Sequence, residues 1–356
     1  MLVMSSVIGI SYWLEENTKW IAHISGVILI IIIAAILGST GVIPSSTEVY
    51  DWQFKWIVPF GIILMLLAFN PKNLLKINKN FILCFLIGII ATTIGGVFAG
   101  YIFKLILPED YWRISGQLTA SFIGGYENAV SVGISLNTPN QVFLQAFIGD
   151  SVLTTLWIIV NIFQSRNIVN NQENTENEKA NEYNQYNNSL DITSISLTVA
   201  VACFVFTLSS YIYNIFQFFP QILWASIIAT FITFTPLRHR FKGSYVIGSL
   251  MLSYFIFGCG AISNVSYLFN NASVLLLFPA IIVFTHALIL FNLAKLFKIK
   301  KEIAIITSQC LIGGPATALA VVVARKWDYQ FEAVTLGLFG YAVGNYFGFG
   351  VAWILK

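Results

Sequence analysis

Apolar runs close to the twenty or so residues that a helix needs to cross a bilayer recur from one end of this chain to the other. Residues 24 to 37 (ISGVILIIIIAAIL) and 81 to 106 (FILCFLIGIIATTIGGVFAGYIFKLI) are two of them. The runs exclude an ordinary soluble domain. Only 10% of the 356 residues are charged, against roughly a quarter in a typical soluble chain, so a globular surface could not be covered with polar groups. The pattern predicts an all-α integral membrane protein, multi-pass in the cell (inner) membrane. It has about ten spans, near 2–14, 22–43, 53–69, 81–106, 140–164, 192–213, 221–237, 244–268, 273–297 and 330–355. The first run, Met1 to Leu14, has no basic flank before it and no small-residue cleavage site after it, so it does not read as a cleaved signal peptide. Its shortness for a span leaves room for a start codon upstream.

Two further apolar segments, 111–136 and 301–325, are unlike the rest. The first contains TASFIGGYENAVSV (Thr119 to Val132), the second TSQCLIGGPATALAV (Thr307 to Val321). Each carries Ile-Gly-Gly, then a polar patch, then an Ala/Val run, and each precedes a Gly-rich apolar span. A glycine pair inside a helix is costly unless the backbone breaks or something approaches closely. Two such pairs at corresponding places in two halves are the pattern of transporters built from repeats around a midplane site. The repeats are read as 1–164, with five spans and the 111–136 hairpin, and 191–356, with five spans and the 301–325 hairpin. Between them lies SRNIVNNQENTENEKANEYNQYNNSL, 165–190, whose composition predicts a disordered cytoplasmic linker.

Charge placement favours hairpins over full crossings. If both Gly-Gly segments enter and leave on one side and the N-terminus is external, the lysines and arginines divide 15 inside to 4 outside. If both cross, the better orientation gives 13 to 6 and exports Lys72, Lys76 and Lys79. Five spans per half also turn the second half upside down, so one hairpin opens outward and the other inward. Non-helical backbone at that depth survives where it faces protein or water.

At these motifs the sequence resembles the membrane family known as domain of unknown function 819 (YjcL-like), found in bacteria and plants. The likeness runs over nearly the whole chain: WLEENTKW, GVIPSSTEVYD, the first Gly-Gly segment, FIGDSVLT, and IGGPATA with GYAVGNYFG. Gly124, Gly125 and Asn128 match its first motif, Asp150 its aspartate, and Gly313, Gly314, Pro315 and Thr317 its second. The resemblance implies a transporter-like fold, similar to inverted-repeat exchangers and organic-anion symporters that move a core domain against a scaffold. This chain departs from the pattern at Tyr126 and Glu127, where the family has a small polar and then an apolar residue, and at Leu311, where it has Asn. These departures fall on the presumed site, so a ligand shared with relatives does not follow.

Glu127 is the sharpest candidate. An ionised carboxylate at mid-bilayer costs roughly 2.5–3.5 kcal/mol on insertion scales, so it needs a partner, a proton or a cavity. It reads as a proton or sodium carrier beside the first hairpin tip, against a snorkelling loop residue. Asp150, well inside its span, is either a second coordinating carboxylate or a helix–helix hydrogen bonder, to Thr154 or Asn345 for example. Asn128, Ser131, Thr317 and Asn345 lie near the breaks, where free N–H groups and dipole ends can hold ions, or serve as polar glue between helices. His286 in VFTHALILF reads first as a packing residue. The four cysteines, far apart in apolar runs, read as small buried hydrophobes. There is no G-x-S-x-G, Walker loop, H-E-x-x-H or paired-Cys motif, and no basic face for nucleic acid.

The expectation is therefore an ion-coupled secondary transporter, not an enzyme and without a cofactor, working by alternating access with H⁺ or Na⁺ at Glu127 and Asp150. The solute is a small hydrophilic molecule, an organic anion or metabolite slightly ahead of an inorganic cation. A cation/proton antiporter and a non-transporting membrane scaffold or receptor stand as alternatives. A homodimer follows from fold analogy alone.

Overall fold

In an α-helix the chain can satisfy every backbone donor and acceptor within one segment, which is what a lipid solvent demands. The computed structural model describes residues 1–18, 26–44, 47–166, 168, 191–216, 219–262, 272–325 and 327–356. The fold is all-helical, with no strand among the described residues. In the first half lie α1 (Leu2–Asn17), α2 (Gly26–Ser39), α3 (Glu48–Trp52), α4 (Val58–Leu67), α5 (Lys79–Phe103), α6 (Tyr111–Gly124), α7 (Tyr126–Ser135) and α8 (Asn140–Gln164). In the second lie α9 (Ile192–Ile215), α10 (Gln221–Thr233), α11 (Ser244–Ile262), α12 (Ala272–Leu296), α13 (Lys301–Ala324) and α14 (Gln330–Leu355). The expected linker at 165–190 falls almost wholly outside the described residues, as do the ends of the 22–43 and 244–268 spans.

Among the described residues, six helical segments are long and apolar enough to cross a membrane: Val58–Lys76, Lys79–Phe103, Asn140–Gln164, Ile192–Ile215, Leu276–Leu296 and Gln330–Leu355. Leu29–Ser39, Gln221–Thr233 and Ser244–Gly258 are apolar but shorter.

The two faces of α5 show how the sequence copes with lipid. Leu83, Leu86, Ile90, Ile94, Phe98 and Tyr101 recur every three or four residues and are exposed, an apolar stripe suited to acyl chains and far too large for a soluble surface. The opposite face carries Gly88, Ala91, Gly95, Gly96, Ala99 and Gly100, all buried. Lipid is as apolar as leucine, so helices associate there through close backbone approach and small residues. A Cβ on Gly95 would come within 2.9 Å of the Ile282 carbonyl on α12.

The helices sort into two packing groups. In the first, α11 packs on α1, α2 and α4, α1 on α2, and α4 on α9 and α10, which also pack on each other. In the second, α5, α6, α8, α12, α13 and α14 form a tight bundle that includes α7. The groups meet along α4 against α7 and α14, α10 against α14, and α11 against α8.

The cysteines need one correction. Cys84 and Cys310 are buried, but Cys203 on α9 is exposed. It sits on a helix with an open apolar face, where a small sulfhydryl needs no cover.

Candidate functional site

The break in each Gly-Gly segment falls on the second glycine. Gly125 has φ 78°, ψ 173° and Gly314 has φ 75°, ψ −173°. This region of backbone space is open to little besides glycine, which is why a Gly pair marks both places. Gly125 starts α7 as its N-cap, and Gly314 divides α13 in the same way.

Side-chain contacts show that α6 and α7 fold back on each other. At the far ends of the pair, Arg113 Nε donates to the Leu136 carbonyl at 3.2 Å. Halfway up, a Cβ on Gly133 would meet Gln117 Oε1 at 3.1 Å. In α13, Gln309 Nε2 donates to Thr317 Oγ1 at 3.0 Å. Residues eight apart in a straight helix stand about 12 Å apart along the axis, so α13 too is bent sharply at Gly314.

The neighbouring long helices place the two hairpins relative to each other. Going along α8, Phe143 O accepts from Gln117 and Asp150 Oδ2 from Ser121. Further on, Thr154 Oγ1 donates to Ile312 O at 3.0 Å, Trp157 Nε1 to Ser308 Oγ at 3.0 Å and Asn161 Nδ2 to Gln309 Oε1 at 2.8 Å. Along α14, Ala333 O accepts from Cys310 Sγ, Gly337 abuts Pro315, Gly340 and Gly344 abut Gly124, and Gly348 abuts Gly116. At its end, Leu355 O accepts from Tyr111 Oη at 2.6 Å. The hairpins thus enter from opposite ends of α8 and α14, and their tips meet at the middle of both helices.

Tyr341 marks the meeting point. A Cβ on Gly125 would come to 2.7 Å from its Cε1, and one on Gly314 to 3.5 Å from its hydroxyl. One aromatic side chain touches both breaks.

Glu127 lies in the first turn of α7, where the free N–H groups and the positive end of the helix dipole favour an acid. It is buried, and its Oε2 has no hydrogen-bond partner. Asp150 is buried as well, accepting from Ser121 Oγ at 2.7 Å and Thr154 Oγ1 at 3.4 Å. Because Thr154 also donates to Ile312 O, the Asp150 carboxyl sits between the two hairpins. Ion pairs form elsewhere, Arg113 with Asp110 and Lys300 with Glu302. Buried carboxyls without a cation normally carry a proton or bind an ion. The oxygens around Asp150 are of the hard type that sodium takes. Among the described residues no His/Cys/Asp/Glu cluster could hold a transition metal.

The other expected residues divide. Asn128 is spent on structure: its Nδ2 lies 3.2–3.3 Å from the carbonyls of Gly124, Gly340 and Tyr341, stapling the first tip to α14. Asn345 does not reach Asp150; its Nδ2 faces Ser226 Oγ at 3.5 Å on α10. Thr317 caps the second break by donating to Gly314 O. Ser131, one turn beyond Glu127, is buried with an unpartnered hydroxyl. It lines a cavity of about 360 Å³ between α4, α7, α9 and α10. His286 has both ring nitrogens bonded, to Thr92 Oγ1 at 2.8 Å and Ser308 Oγ at 2.9 Å, so it is a satisfied buried group.

Sequence reading missed Tyr341, Ser121 and Gln309. Tyr341 stands in GYAVGNYFG, where a large ring among glycines signals that something packs closely there. Ser121 and Gln309 stand four residues before Gly125 and Gly313, one turn below each tip.

The family model described as "Protein of unknown function (DUF819)" matches residues 2–356. The chain belongs to that family. Among DUF819 proteins, the chain is similar to the uncharacterized membrane protein YjcL of Bacillus subtilis (strain 168). The two are 26% identical over 365 residues, covering 96% of this chain and 92% of the relative. The DUF819 match spans both hairpins, residues 165–190 and every candidate residue above.

Proposed function

We propose that this DUF819 protein is an ion-coupled secondary transporter of a small hydrophilic solute, working by alternating access. The observation that carries the reading is the meeting of two opposed helical hairpins beside two buried carboxyls that have no basic partner. Broken helices at mid-depth expose dipole ends and free carbonyls where a solute or ion can be held. Glu127 and Asp150 hold the coupling ion, H⁺ or Na⁺.

The reading includes two inverted repeats, about ten spans and an elevator-like motion. The packing supports it: exchanging the halves preserves the pattern within each group. The contact of α2 with α11 answers that of α10 with α4; α6 with α14 answers α13 with α8; α5 pairs with α12. The bundle of α5–α8 and α12–α14 is then the moving core, and the other helices the scaffold. A cation/proton antiporter is the second reading, favoured by the two acids alone.

The test is the melting temperature of purified protein in detergent against Na⁺, K⁺ and pH, with Glu127→Gln in parallel. A ligand that binds only the folded state raises it by mass action. Stabilisation of the wild type by Na⁺ or acid pH, absent from the mutant, supports coupling at Glu127. No shift in either protein sinks the ion-coupled reading.

A further inference from the structure

The charge inventory at the meeting point is one-sided. Glu127 and Asp150 are buried there, and Glu15 of α1 is partly buried beside Tyr12 and Gly26. The described lysines and arginines lie outside the long apolar helices or at their ends, as Lys79, Lys104, Arg113, Arg166, Lys295, Lys301, Arg325 and Lys356 do. Among the described residues no basic side chain bonds to Glu127 or Asp150, so an anionic solute brought to the hairpin tips would meet acids.

Aromatic rings surround the same acid. Tyr126 precedes Glu127 in α7, and a Cβ on Gly125 would lie 2.7 Å from both Tyr341 Cε1 and Glu127 Oε2. Tyr245 stacks on Tyr341, with centroids 6.4 Å apart and planes 17° apart. Tyr126 is fixed edge-on against Phe147 at 5.9 Å, and Tyr12 is anchored by its hydroxyl to Ser253 Oγ at 2.7 Å. Tyr341 and Glu127 are buried, and Tyr12, Tyr126 and Tyr245 are partly buried. These side chains come from α1, α7, α11 and α14, so they line the seam between the two packing groups. Ring faces are negative and attract cations, and several rings around a carboxylate are how organic ammonium ions are recognised. The unpartnered Glu127 Oε2 supplies the charge that such a group needs.

We propose that the solute site is a tyrosine-walled seam floored by Glu127, and that it takes a small organic cation, an amine or quaternary ammonium, rather than an organic anion. This names the substrate class for the transporter reading and rests on it. Tyr126 and Tyr341, at the tip of the first hairpin and beside both breaks, contact the cation in the core. Tyr12 and Tyr245 close on it from the scaffold. Sequence alone leaned toward an anion because two backbone breaks can supply dipoles for one. Glu127 stands in the first turn behind the first break, and the residues around it carry the opposite preference.

The experiment measures binding and uptake separately. Purified protein is titrated with tetramethylammonium, choline, succinate and glycerol, following its melting temperature and tyrosine fluorescence. Expected is stabilisation by the two ammonium probes only. It should weaken roughly tenfold or more in Glu127→Gln and in Tyr126→Leu, and stay within about twofold in Tyr126→Phe, which keeps the ring. The Phe variant guards against reading a folding defect as lost binding. Succinate binding, or ammonium binding indifferent to Tyr126→Leu, overturns the proposal. Uptake of labelled choline into proteoliposomes then separates the two readings. Uptake of succinate alone refutes the cation site and keeps the transporter; ammonium binding with no uptake under any gradient refutes the transporter and keeps the site.

Discussion

Substituting the two hairpin glycines tests the geometry directly, because the same backbone meets different surroundings. Gly125 and Gly314 share a conformation that an alanine adopts only with strain, about 1–3 kcal/mol. At Gly314 the added methyl finds room, with Tyr341 Oη at 3.5 Å as its nearest neighbour. At Gly125 it would lie 2.7 Å from both Tyr341 Cε1 and Glu127 Oε2, so a rigid ring must move. Overpacking of that kind adds typically 1–3 kcal/mol. Gly314→Ala should therefore cost about 1–3 kcal/mol, and Gly125→Ala about 2–6 kcal/mol. Gly350→Ala is the control, in the C-terminal part of α14 with nothing within 4 Å of the new Cβ; it should be neutral or slightly stabilising. Melting temperatures in detergent, followed by monodisperse elution, rank the three. If Gly125→Ala proves as stable as Gly350→Ala, the first tip is not held against Tyr341 and the account of the site is wrong. Equal losses at Gly125 and Gly314 would leave the strain but remove the packing argument.

Opposed hairpins predict opposed labelling: in otherwise cysteine-free protein, Asn137→Cys at the base of the first should react with an impermeant maleimide from one face of the membrane and Lys300→Cys, before the second, from the other. Labelling of both from one face would refute the arrangement. Asp150→Ala should abolish ion-dependent stabilisation and also free Ser121, whereas Asp150→Asn should lose the ion response with little loss of basal stability, read from melting curves with and without Na⁺. His286→Ala should cost about 2–4 kcal/mol by leaving a buried void and removing one of the two partners of the Thr92 and Ser308 hydroxyls, while the ion response persists in the folded fraction. At the start of α9, Asp191 accepts from Ser194 N at 2.7 Å and Oγ at 2.8 Å, which hold its carboxyl below the usual aspartate range. Its contribution is present above the unfolded value and fades as pH falls through the folded one, so Asp191→Asn should flatten the acid limb of the stability curve.

The sequence by itself determined the solvent, the secondary structure and the location of the breaks. Long apolar runs admit only helices in lipid, and the doubled glycines admit the turns at 125 and 314 because other residues are strained there; the 111–136 and 301–325 segments match α6–α7 and α13 closely. It also pointed to Glu127 and Asp150, since a carboxylate in an apolar run is costly anywhere. What it left open was who faces whom. Whether Asn128 binds a solute or staples α14, whether Asn345 reaches Asp150 or Ser226, and whether the tips meet at all depend on residues hundreds of positions apart. Tyr341 illustrates the limit: its contact with both glycines, 216 and 27 positions away along the chain, exists only once α14 lies between the hairpins. A helix break in isolation suggests an anion, and only packing brings Tyr341 of α14, with Tyr245 of α11 stacked on it, to the Glu127 end of the first hairpin.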